Sequence, residues 1–122
     1  MTRLLFVALL TASTSAIGAD RFPVQTIELQ NFSYTPQAIS LAAGKPVTLT
    51  FVNRAKGSHD FTAKSFFSHA RILSGSAAKG EIELKSGQSQ SITLVPAAGR
   101  YKTHCSHFLH KQFGMTGEIL VQ

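Results

Sequence analysis

A second cysteine is missing. Cys105 stands alone among 122 residues, so no disulfide can form within the chain. The thiol is then a buried inert group, an intermolecular bridge, a nucleophile or a metal ligand. Long apolar runs are missing too: the opening stretch Leu4 to Leu10 is far short of the roughly 20 residues that a spanning helix needs. That stretch contains no cysteine, so a lipoprotein anchor is not indicated. Acidic residues are scarce, with 6 Asp and Glu against 12 Lys and Arg and a net charge of +6. The cations are nevertheless scattered singly (Lys45, Lys56, Lys79, Lys85, Lys111), and no basic run argues for nucleic-acid binding. Internal repeats, low-complexity tracts and a linker to a second domain are all absent.

What is present begins with "MTRLLFVALLTASTSAIGAD". One early cation (Arg3), a short apolar run and small residues ending near Ala19 form the pattern of a secretory signal peptide. A buried N-terminal strand or helix is the competing reading. Residues 1–19 are expected to be removed, leaving 20–122 as one exported, periplasmic domain without a membrane span. That length suffices to bury a core. Exported proteins usually carry cysteines in pairs, so a solitary thiol in an oxidising compartment needs protection. Coordination to a metal supplies it. A basic exported domain would be steered towards acidic partners, and a monomer is expected.

Beyond the leader, apolar and polar residues alternate over short stretches. "VQTIELQNF" places Ile27 and Leu29 on one face, and "AISLAAGKPVTLTFVN" sets Val47, Leu49 and Phe51 at period two after a Gly44-Lys45-Pro46 turn. "GEIELKSGQSQSITLV" repeats the form with Ile82, Leu84, Ile92 and Leu94 around Ser86-Gly87, and "AAGRYKTHC" and "MTGEILVQ" supply two final strands. The segment around 63–79 breaks the alternation. Phe66, Phe67, Ala70 and Leu73 there could form a short helical face. Seven to eight short strands with one helical or irregular insertion predict an all-β fold, an antiparallel Greek-key β-sandwich.

Chemistry concentrates in "YKTHCSHFLHKQFGM" (Tyr101 to Met115). A cysteine nucleophile requires a base and oxyanion donors. No orienting acid and no nucleophile-elbow glycine pattern accompany Cys105, so an enzyme is not expected. A thiolate, two neutral imidazoles and a thioether form instead a soft set suited to copper, with three strong ligands in a plane and methionine as a weak axial fourth. Such a set requires another histidine from a distant part of the chain, and "FVNRAKGSHDF" carries His59 just after a strand.

In this ordered set the chain resembles the cupredoxins, the small blue-copper protein family. The resemblance spans essentially the whole mature chain: "AAGKPVTLTFVN", a lone His on the following loop, a Gly-x-Tyr, the Cys, a His and "GMTGEILVQ". The loop spacing Cys-x4-His-x4-Met is rusticyanin-like. The resemblance implies one copper ion in a type 1 site, with His59, Cys105 and His110 as equatorial ligands and Met115 as the axial one. It implies single-electron transport to a redox partner protein. Copper tolerance or trafficking is the alternative, with His104 and His107 as extra or transfer ligands.

The residues also favour His110 on their own account. His104 neighbours Cys105 on a strand and should point to the opposite face, whereas His107 leaves little chain for the loop to turn. His104 and His107 are expected to be solvated or to support the ligands, and His69 to lie on the surface. Met115 as core packing is the competing reading for the thioether. Tyr101 occupies the position where the family often keeps a tyrosine corner. Phe108, Leu109 and Phe113 around His110 would collar it, as a docking patch or as a shield for the metal. Lys102 and Lys111 would favour an acidic partner. Many family members follow the first histidine with Asn, whereas here Asp60 does. An Asp60–Ser106 hydrogen bond joining the two ligand loops is predicted.

Overall fold

The computed structural model describes residues 22–107 and 115–122, and within them the alternating runs become strands. In chain order these are β1 (Val24–Gln30), β2 (Ser33–Thr35), β3 (Ala38–Leu41), β4 (Val47–Asn53) and β5 (His59–Thr62). Helix α1 (Lys64–His69) and β6 (Arg71–Ser74) follow, then β7 (Glu81–Leu84), β8 (Ser89–Val95), β9 (Gly99–His104) and β10 (Thr116–Val121). One sheet runs β2-β1-β4-β8-β6 and the other β3-β10-β9-β5-β7. The result is the expected all-β sandwich.

The described strands number ten because two short ones were hidden in the pattern. β2 is a three-residue return from the turn after β1, and β6 lies inside the insertion and pairs with β8. Leu73 therefore leaves the expected helical face and sits on β6, 40% exposed. Nor is every pairing antiparallel, since β1 runs parallel to β4 and β3 parallel to β10. The chain leaves the β1–β2 hairpin, contributes β3 to the other sheet, and returns as β4 beside β1 in the same direction. A parallel neighbour requires that kind of crossover.

Period-two burial holds the sheets together. Along β4, Val47, Leu49, Phe51 and Asn53 are buried while the residues between them are partly exposed. Ile27, Leu29, Leu49, Phe51, Ile92 and Leu94 of the first sheet meet Phe61, Ile82, Leu84, Ile119 and Val121 of the second. Each such side chain contributes about 1.5–3 kcal/mol through burial. Helix α1 has no side-chain N-cap, and its buried Phe66 and Phe67 hold it down. Phe66 meets Tyr101 edge-on with ring centroids 5.5 Å apart, and Phe67 meets Phe61 at 6.3 Å. Tyr101 donates its hydroxyl to the carbonyls of Ala97 (2.9 Å) and Ala98 (3.3 Å), a tyrosine corner. Among the described residues, no helix is long and apolar enough to cross a membrane.

Candidate metal centre

The end of β4, the start of β5, the end of β9 and the start of β10 converge at one end of the sandwich. Residues 54–58 carry the chain from β4 to His59, and Asn53 shapes that loop. Its buried side-chain amide donates to the carbonyls of Gly57 (2.9 Å) and Leu84 (3.0 Å), and its side-chain oxygen accepts from the Ala55 N–H (2.9 Å). Ser86 donates to the Ala55 carbonyl at 2.6 Å. His59 thus enters β5 opposite Leu84 with its imidazole buried, 3% exposed.

Cys105 follows β9 directly. Its N–H donates to the Met115 carbonyl at 3.1 Å, which continues the β9–β10 ladder one step past His104 and Thr116. Cys105 and Met115 are both fully buried. The thiol sulfur lies 3.9 Å from His59 Nδ1 and accepts from the Asp60 N–H at 3.4 Å. Burial pushes the thiol above its ordinary pKa, while the backbone N–H groups of Asp60 and His107 pull the other way. Donors aimed at the sulfur stabilise its anionic form, the form that binds a metal.

Asp60 ties these pieces together as predicted. Ser106 donates its N–H to Asp60 Oδ1 at 2.9 Å and its hydroxyl to Oδ2. Thr62 also donates to Oδ1, at 2.7 Å, and the Tyr34 hydroxyl donates to the Asp60 carbonyl at 2.6 Å. The carboxylate is fully buried and fully engaged. Burial first, then the charges of Cys105 and Asp60, push the Tyr34 phenol well above its usual range.

The remaining histidines separate as their positions require. His104 shares an open groove of about 550 Å³ with Lys102, Thr116 and Glu118 on the outer face of β9 and β10, away from the thiol. His69 is exposed and bonds the Ser65 carbonyl at 2.7 Å. His107 does more than face solvent: its Nε2 donates to Glu83 Oε1 at 2.8 Å and lies 3.8 Å from Asp60 Oδ2. Ligand atoms of Asp60, Cys105 and His107 all lie within 4.8 Å of one another. His110 falls outside the described residues, with Phe108, Leu109, Lys111 and Phe113 and the leader of residues 1–19.

Glu83, Asn53, Tyr34 and Thr62 are site residues that the sequence reading missed. Period-two alternation of β7 sets Glu83 outward, but its station opposite Asp60 follows from the β5–β7 register, which no local pattern specifies.

The donor set fits a soft metal ion. A buried thiol, a buried imidazole and backbone donors to the sulfur come from separate loops locked to each other, with a buried thioether residue at the loop's far end. Fold and site together define a β-sandwich protein with a candidate metal centre, built around a buried thiol, at one end. The chain belongs to the cupredoxin-like domain family, whose model matches residues 2–121. That membership implies a type 1 copper site. Among solved structures, a dithionite-reduced auracyanin from the photosynthetic bacterium Roseiflexus castenholzii is similar at 21% identity, covering 81% of this chain and 96% of its own, with a TM-score of 0.63. Auracyanin B is similar at 20% identity, 82% and 88% coverage and a TM-score of 0.60. The McoA multicopper oxidase from the hyperthermophile Aquifex aeolicus matches at 15% identity and a TM-score of 0.66, over 91% of this chain and 32% of its own. No curated protein matches the chain.

Proposed function

We propose that the chain is a periplasmic, non-enzymatic electron carrier that holds one copper ion through His59, Cys105, His110 and Met115. Bound copper would supply a one-electron couple between Cu(II) and Cu(I). The observation that carries this reading is the Cys105–His59 pair, buried together and 3.9 Å apart. The chain's own residues account for the rest. Asp60 and Ser106 lock the two loops so that the donors keep one arrangement in both redox states, and close packing resists their displacement. The Asp60 and His107 N–H groups partly offset the burial that raises the Cys105 pKa, and they would stabilise the thiolate once a metal displaces its proton.

The second reading, copper tolerance or trafficking, draws support from His107 and Glu83, an imidazole and a carboxylate close to the thiol and partly exposed. Retention separates the two. An electron carrier keeps its copper through repeated reduction by a soluble reductant and reoxidation, with one electron per chain and cycle. A trafficking protein releases copper to a competing acceptor on reduction, and that outcome would overturn the first reading. A redox partner with acidic residues is part of the proposal, since the exported domain is basic.

A further inference from the structure

We propose that Glu83 and His107 form the route by which the metal reaches the thiol, a capture pair on the outer face of the sandwich. This rests on Cys105 being a copper ligand, and it assigns to His107 and Glu83 a role that the four-ligand site does not use.

The geometry is a gradient of exposure and of donor softness. Cys105 and Met115 are fully buried, and His59 is 3% exposed. A hydrated ion therefore meets none of these described donors directly. The His107 side chain is 32% exposed and that of Glu83 49%. Their donor atoms stand 2.8 Å apart, and a His107 ring nitrogen lies within 4.8 Å of the Cys105 sulfur. A carboxylate and an imidazole suit an ion that still carries water, whereas the thiolate suits one that has shed it. The Asp60 carboxylate lies beside this pair, and both its oxygens accept hydrogen bonds, from Ser106 and Thr62, that hold the two loops. In the hand-over, Cys105 gains its bond to the metal as His107 and Glu83 give up theirs. The thiol proton leaves to solvent, and no electron moves.

The test is stopped-flow mixing of the metal-free protein with aqueous Cu(II), followed at the thiolate-to-copper band. His107→Gln and Glu83→Gln should each slow loading about tenfold, while final band intensity and one copper per chain stay as in the wild type. Glu118→Gln removes the same charge from β10 and should load at the wild-type rate. Wild-type rates in both pair variants would overturn the proposal, as would loss of the final band in His107→Gln, which would make that residue a resident ligand. A wild type that binds copper without a band would defeat the site reading instead. Uptake timed by rapid desalting and elemental analysis then decides for the pair: slower uptake in both variants supports it, and unchanged uptake overturns it.

Discussion

Asp60 accepts three side-chain-directed bonds, holds the Cys105 sulfur with its N–H, and takes the Tyr34 hydroxyl on its carbonyl. A buried carboxylate this close to the donors favours the higher charge state of a bound cation. Asp60→Asn removes that charge and should raise the reduction potential of the loaded protein, by on the order of 60 mV for a tenfold change in a one-electron equilibrium. Protein-film voltammetry of the two proteins checks this, and an unchanged or lower potential contradicts it. The metal-free chain has its own pH signature. The folded pKa values of Cys105 and Tyr34 are both raised, from ordinary values of 9.0 and 10.0. The unfolded chain therefore releases these protons first, so stability is full below about pH 9 and falls as pH rises further. Denaturant midpoints between pH 7 and 11 should show that decline, and Tyr34→Phe should flatten its part above about pH 10. Asp60 and Ser106 could be paired from sequence because each directly follows a proposed ligand. Glu83 could not, because it reaches His107 through a strand register set by the whole sheet.

At the level of elements, the ladders and one aromatic anchor do the positioning. β9 and β10 place Cys105 and Met115, β5 places His59, and Tyr101 ties β9 to the turn that precedes it. Tyr101→Phe keeps the ring against Phe66 but loses the bonds to Ala97 and Ala98, so unfolding free energy should drop by about 1 kcal/mol. Chemical denaturation measures this, and the copper spectrum should stay unchanged because the ring still fills its place. Most strands were legible in the chain, since Ile27 and Leu29, or Val47, Leu49 and Phe51, alternate as a half-buried sheet demands. The parallel pairings were not, because direction depends on which sheet β3 joins. β6 was also hidden. Arg71, Ile72, Leu73 and Ser74 carry no alternation, and all four are exposed on an edge strand.

For the molecule as a whole, the sandwich leaves one end to chemistry, and its buried core runs up to that end through Cys105 and Met115. Copper that binds only the folded chain must stabilise it by mass action. The thermal midpoint should therefore rise on loading, and Cys105→Ser should abolish most of that rise. His59 and Cys105 were legible as neighbours across 46 positions, because the family order that the sequence resembles brings an upstream histidine beside the cysteine. The surplus histidines of the ligand loop were not so easily sorted, and the role proposed for His107 rests on Glu83 of β7 lying alongside it. The central claim is that Cys105 is a copper ligand in a mononuclear site. Titration of the metal-free protein with Cu(II) tests it most directly. An intense visible thiolate-to-copper band should saturate at one ion per chain, with Cys105 protected from alkylation. Saturation without that band, and with Cys105 still alkylated in the loaded protein, would contradict the account.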